Sequence, residues 1–276
     1  MSNRSFLSKI TELILKKTKP EYMNSQEKIE LFLTNKMDEK KSEKIKDISY
    51  GDNYSDNGVI LYLHGGAYVN QLNIQHRTYC YILSKILKRR VIAPAYPLAP
   101  KYTYRESYEM LCEEYTNLRD SFNSVTFMGD SAGAGLALGF CQYLNSIDSK
   151  LPDNIIVFSP WVDVSMKNKY DDTDDPILGN IGLREIGKRW AGTLDTTDYR
   201  VSPLYGDNHN FPRTLIITGT NEIFYPDIKE YYEKLVEDNV DAEIIVGRDL
   251  FHIYPLFPIP EAICVLKEIK KEMKMI

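Results

Sequence analysis

Residues 124–135 read SVTFMGDSAGAG, a short apolar run closed by Gly129-Asp130-Ser131-Ala132-Gly133 and followed by the helical pattern AGLALGFCQYLN (134–145). The pattern Gly-x-Ser-x-Gly alone arises by chance in about one chain in ten of this length. Its setting carries more information. The run before it is too short for a helix and reads as a strand. The serine therefore occupies a tight strand-to-helix turn, where side chains at 129 and 133 would collide with the neighbouring strand and helix. Such a turn projects a hydroxyl above the carboxyl edge of a sheet, against helix N–H groups that favour negative charge. Ser131 is either a nucleophile or a serine cap in a glycine-rich turn, and the rest of the chain has to choose.

Outward from this turn, strand and helix alternate. GVILYLHG (58–65), RVIAPAYP (90–97), NIIVFSP (154–160), TLIITG (214–219) and AEIIVG (242–247) read as strands. RTYCYILSKILK, YRESYEMLCEEYTNLRD, PDIKEYYEKLVEDN and EAICVLKEIKKEM read as helices between and after them. The strands are apolar on both faces, as in a parallel sheet covered by helices on both sides. Between Trp161 and Arg213 the alternation lapses into loop-like sequence with one helix, Leu183 to Trp190. Before the sheet, Phe6, Ile10, Leu13 and Ile14, then Ile29, Phe32 and Leu33, recur at helical spacing and predict two amphipathic helices separated by Pro20. KMDEKKSEKIK (36–46) reads as a solvated linker or helix end. The expected division is an appendage of helices and linker over 1–46 and a main body over 47–276.

Composition narrows the function classes. The chain has 276 residues, 43% of them hydrophobic, enough to bury a substantial core. Its net charge is −5 with signs interspersed, so it lacks the basic face of a nucleic-acid binder. The N-terminal apolar stretch is too short and polar for a signal peptide, and no run approaches a membrane span. A soluble, cytoplasmic protein is expected. Cys80, Cys112, Cys141 and Cys264 are scattered, giving neither a zinc nor a redox motif, and are expected as reduced thiols. The acidic DDTDDP (171–176) lacks the ligand alternation of a calcium loop and reads as a solvated loop. No metal or cofactor is expected.

A serine hydroxyl needs a base. His64 and His76 precede the serine and His209 precedes TLIITG, whereas His252, in RDLFHIYPLF, follows the last strand and faces the same sheet edge. The orienting carboxylate is expected after TLIITG, where TNEIFYPD offers Glu222 and Asp227. Glu222 stands closer to the strand end and is favoured, since Asp227 has a ready role as a helix-start charge. LHGGAY after the first strand brings small residues and free N–H groups near the serine. Gly65, Gly66 and Ala132 are the expected oxyanion donors, with His64 bracing the loop.

These residues resemble the hormone-sensitive-lipase branch of the α/β-hydrolases. HGGAY is similar to its His-Gly-Gly-Gly motif, GDSAGAG to its serine elbow, and YPLAP (96–100) to its Tyr-Arg-Leu-Ala-Pro segment. SPWVDVS, YRVSPLYG and GTNEIFYPD follow in family order, and the resemblance runs from about Tyr54 to the C-terminus. It implies a mostly parallel sheet with helices on both faces, and a helical cap drawn from the N-terminal helices and an insertion over about 162–212. It implies Ser131 as nucleophile, Glu222 as acid, His252 as base, and Gly65, Gly66 and Ala132 as the oxyanion hole. The implied enzyme is a serine carboxylesterase acting on small, short-chain acyl esters. The alternatives are a deacetylase or amidohydrolase of small metabolites or sugars, and a non-catalytic ligand-binding protein on the same fold. A homodimer through an edge strand or the last helix is compatible with such a fold. The chain departs from the family at Ala67 for the third glycine, Pro97 for arginine, Glu222 for the commoner aspartate, and Ile253 for the glycine after the histidine.

Overall fold

The computed structural model describes residues 4–38, 47–168 and 175–274. Seven strands form one sheet: β1 (Ile48–Tyr50), β2 (Val59–Leu63), β3 (Arg90–Ala93), β4 (Val125–Asp130), β5 (Asn154–Phe158), β6 (Arg213–Asn221) and β7 (Ala242–Phe251). Their order is β1-β3-β2-β4-β5-β6-β7. Every pairing is parallel except β1 with β3. The helices are α1 (Phe6–Thr18), α2 (Gln26–Asp38), α3 (Ile74–Leu87), α4 (Tyr104–Ser121), α5 (Ser131–Ser146), α6 (Asn180–Ala191), α7 (Tyr225–Glu237) and α8 (Pro260–Glu272).

The interior strands β2, β4 and β5 are buried at every residue, which is why their sequences run apolar without alternating. Successive side chains still go to opposite faces. Leu61, Phe127, Val157 and Ile216 enter the core beneath α4, α5 and α7. Tyr62, Met128, Ile156 and Ile217 enter a second core beneath α3 and α8. Local signals start the helices where the sequence expects them. Thr103 caps α4 in a reciprocal pair with Glu106, and Asn73 caps α3 with His76. The first core also takes Ile29 and Leu33 of α2 with Leu183, Ile186 and Trp190 of α6, so the N-terminal segment and the 162–212 region share one apolar layer.

Four expectations need correction or limits. β1, a three-residue antiparallel edge strand, was not expected from the sequence. The two N-terminal helices are present, but Phe6, Leu7, Ile10, Leu13 and Ile14 of α1 lie on its exposed side. The linker residues 39–46, and 171–174 of the acidic run, lie outside the described residues. Asp175, last in that run, is buried rather than solvated. Among the described residues no helix is long and apolar enough to cross a membrane. All four cysteines are free thiols.

Candidate active site

In a parallel sheet, loops leaving the carboxyl ends of the strands converge on one edge. Here the loops after β2, β4, β6 and β7 bring His64–Tyr68, Ser131, Glu222 and His252 together. The β6–β7 register does part of this directly. Asn221 pairs with Phe251, so the next residues, Glu222 and His252, leave the ribbon side by side.

Ser131 has φ +52°, a left-handed backbone rare for any residue but glycine, as a sharp elbow demands. The turn holds because the flanking glycines permit contact with β2. A Cβ on Gly133 would lie 2.1 Å from the Leu63 carbonyl and 2.4 Å from that of His64. Gly133→Ala is therefore expected to destabilise the fold by about 3 kcal/mol and displace the loop after β2. A melting temperature equal to that of the unaltered protein would refute this packing account.

Three buried side chains, Glu222, His252 and Ser131, form a chain of hydrogen bonds. His252 Nδ1 lies 2.6 Å from Glu222 Oε2, and His252 Nε2 lies 2.9 Å from Ser131 Oγ. With Nδ1–H donating to the carboxylate, Nε2 is left to accept the serine proton. Glu222 Oε1 accepts from the Gly219 N–H at 3.0 Å and from the Thr218 hydroxyl, so both its oxygens are committed. Asp227 lies instead in the first turn of α7, with Asn168 donating to its carboxylate. His64 donates from Nδ1 to the Gly65 carbonyl at 2.6 Å and stacks on Tyr96. Burial, with His76 nearby, pushes its pKa down to about 4, so it braces the loop as a neutral ring.

Burial alone would disfavour the charged form of His252. The hydrogen bond and charge of Glu222, with the charges of Asp175 and Asp130, outweigh it and raise its pKa above the ordinary value. Asp175 was not among the sequence candidates. Its carboxylate accepts the N–H groups of Ile177, Leu178 and Ile223, each at 2.8 Å. Burial pushes the Asp175 carboxyl up, against these bonds and the charge of His252. The Asp175-Pro176 dipeptide, a turn initiator whose carboxylate caps the next amides, is the signal that could have found it. Since Asp175 helps hold the His252 proton, Asp175→Asn is expected to move the acid limb of the rate profile to lower pH. An unchanged limb would mean that the carboxylate only fastens its loop.

One of the three expected oxyanion donors already has an acceptor. Gly65 donates its N–H to Asp130 Oδ1 at 3.0 Å and so is engaged already. A side chain there would strike the same carboxylate, 2.2 Å from Oδ2. Asp130 also accepts from the Tyr62 hydroxyl at 2.7 Å and faces His76 Nε2 at 3.4 Å. Burial opposes its charge, and His76, Tyr62 and Gly65 together hold its pKa below the usual carboxylate value. Asp130 thus clamps the loop after β2 to the elbow. The next two N–H groups, of Gly66 and Ala67, donate to no backbone or side-chain acceptor among the described residues. Ala132 lies in the first turn of α5, where N–H groups have no intrahelical partner. A row of buried rings borders the site: Trp190 stacks on Tyr68 at 4.0 Å, Tyr68 on Trp161, and Trp161 on Phe224, whose edge meets His252 at 5.3 Å.

A family model described as alpha/beta hydrolase fold matches residues 60–256. An esterase from Acinetobacter venetianus is 28% identical over 221 residues, 76% of this chain and 73% of that protein. An acetyl-hydrolase from Streptomyces hygroscopicus is 27% identical over 205 residues, 72% of this chain and 69% of the other. The crystal structure of a hormone-sensitive lipase from a metagenome library superposes with a TM-score of 0.81, at 20% identity, over 97% of this chain and 98% of that one.

Proposed function

The chain belongs to the alpha/beta hydrolase fold family, and from that premise we propose that Ser131, His252 and Glu222 are its catalytic triad. It is a hydrolase of carboxylesterase type, cleaving carboxylic esters. His252 Nε2 takes the Ser131 proton as Oγ attacks the ester carbonyl. The oxyanion that forms is received by the N–H groups of Gly66, Ala67 and Ala132. Each such donor is worth on the order of a hundred- to a thousandfold in rate. Collapse breaks the bond to the alkoxy oxygen, which leaves with the proton from His252. Water then repeats the sequence on the acyl-serine, releasing the acid and restoring Ser131. No step calls for a metal or cofactor.

The observation that carries this reading is the unbroken buried chain from Glu222 through His252 to Ser131, ending on an elbow whose backbone is held in a left-handed turn. We further propose that α2 and α6 belong to a cap over the acyl pocket, supported by their shared apolar layer and by Trp190 of α6 reaching the ring row beside His252. The row of bulky rings Tyr68, Trp161 and Phe224 beside His252, and the resemblance to an acetyl-hydrolase, favour short acyl groups, acetyl included. The four free thiols fit the reducing interior of a cell. The test is hydrolysis of p-nitrophenyl esters from acetate to decanoate, with a fluorophosphonate labelling Ser131. Activity falling steeply beyond the short chains is expected. A folded protein that neither cleaves any of them nor takes the label would return the reading to a binding protein on this fold.

A further inference from the structure

Helix α1 is mounted with its polar side inward. Ser8 and Glu12 are buried, while Phe6 is 78% and Leu13 60% exposed. The inward side is fastened mainly by polar contacts, with Leu15 packed against the second core. Glu12 pairs with Arg4 and accepts from Asn221 at 3.2 Å, and Arg4 donates to the Asp249 carbonyl at 2.7 Å. Ser5 donates from its N–H and its hydroxyl to the two oxygens of Glu261, at 2.7 and 2.9 Å. With 100° between successive residues, Phe6, Ile10, Leu13, Ile14 and Leu7 fill an outward arc of roughly 120°. An arc of that width ordinarily faces a core.

The apolar surface does not stop at the helix. Leu7 borders a groove of about 640 Å³ whose other walls are the starts of α3 and α8 and the segment Pro255–Pro260. Ile74, 78% exposed, and Ile263 stand at its rim. The three helices that build this face carry eight lysines and arginines against four glutamates, in a chain with 34 basic and 39 acidic residues overall. All four glutamates are engaged: Glu12 with Arg4, Glu261 with Ser5, Glu268 with Lys271 and Glu272 with Arg213. The lysines sit where an apolar surface meets water. Lys9 and Lys16 flank the α1 arc and Lys17 ends it one turn after Leu13, and Lys267 and Lys270 follow Ile263 by one and two turns on an exposed side of α8.

We propose that this face adsorbs to an anionic lipid surface, with the α1 arc in the headgroup layer and the lysines on lipid charges. An interfacial helix has this pattern, an apolar face edged by lysines whose stems reach back to the polar layer. The adsorbed face lies beside the candidate active site. Asn221, which anchors Glu12, directly precedes Glu222, and the groove segment begins three residues after His252. Adsorption therefore sets the triad loops at the lipid boundary, where apolar esters accumulate.

The test is sedimentation of the whole chain with vesicles of equal phosphatidylglycerol and phosphatidylcholine, beside vesicles of phosphatidylcholine alone. Binding to the anionic vesicles, released by salt, is expected. The variant Phe6→Gln/Ile10→Gln/Leu13→Gln should lower it about tenfold or more, as should Lys9→Glu/Lys17→Glu. Both variants alter outward side chains, so their melting temperatures and hydrolysis of water-soluble p-nitrophenyl acetate should match the unaltered protein. Absence of binding to either vesicle overturns the proposal, whatever the variants do. Equal, salt-insensitive binding to both vesicles overturns the charge assignment. A dimer in sedimentation velocity that the triple variant dissolves, with no vesicle binding, gives the face to a second copy instead.

Discussion

Replacing Ser131 with alanine lowers kcat/KM for p-nitrophenyl acetate by about 10⁴-fold or more, with the melting temperature nearly unchanged. The loss corresponds to at least about 5 kcal/mol of transition-state stabilisation. Its size follows from geometry, because Oγ is the one atom removed and it stands 2.9 Å from the base. Stability should hold for equally specific reasons. The left-handed backbone at 131 strains alanine and serine alike, and the contact fixing the turn, the Trp161 N–H to the Ser131 carbonyl at 3.0 Å, involves no side chain. The remaining oxyanion donors would leave residual hydrolysis above the rate in water. Fluorophosphonate labelling should vanish in the same variant. Retained turnover or retained label would remove Ser131 from the mechanism and leave it a cap in a glycine-rich turn.

Much of this arrangement was legible in the sequence where burial forces composition. The strands that hold the elbow announce themselves because both faces are covered, and their glycine-bounded apolar runs fit nothing else. β1 stayed hidden because three residues on an antiparallel edge, only one of them buried, leave no such imprint. The juxtaposition of Ser131, Glu222 and His252, the proposed triad, was legible by chain order, since a parallel sheet sends all three to one edge. What stayed illegible depends on partners far along the chain. Periodicity shows that α1 has an apolar side but not which way it points. That is decided by Arg4 with Asp249 and Ser5 with Glu261, contacts across 245 and 256 residues. Sequence likewise cannot show that the Gly65 N–H is already held by Asp130, which moves the free donors one residue on to Gly66 and Ala67. The departure at Ile253 has a structural answer of the same kind. Its φ of +49° keeps the backbone form a glycine would take, and Ser159 Oγ accepts its N–H at 2.9 Å. A β-branched residue thus bears strain at the histidine loop that its neighbours hold in place.

Glu222→Gln should cost about 10³- to 10⁴-fold in kcat/KM, far more than loss of one charge in a solvated pair. The reason lies in what surrounds the carboxylate. Oε1 receives the Gly219 N–H, a fixed backbone donor, so the glutamine must turn its carbonyl oxygen there. That leaves the amide NH₂ facing His252 Nδ1, which must then accept. The imidazole proton moves to Nε2, and the nitrogen facing Ser131 can no longer take a proton. The pH profile moves as well, in a direction that can be worked out. Glu222 is the main reason that the His252 pKa stands above its ordinary value despite burial. The base works only when neutral, so in the native enzyme activity falls on acidification through that raised pKa. Without Glu222, burial prevails, the pKa drops, and the acid limb of the residual activity shifts to lower pH. Asp227→Asn serves as the contrast, because that carboxylate is engaged by Asn168 and contacts neither member of the pair. Its activity should stay close to that of the unaltered enzyme, with the acid limb in place. A severe loss confined to Asp227→Asn would transfer the acid's role to α7 and overturn the assignment built on the 2.6 Å bond between Glu222 and His252.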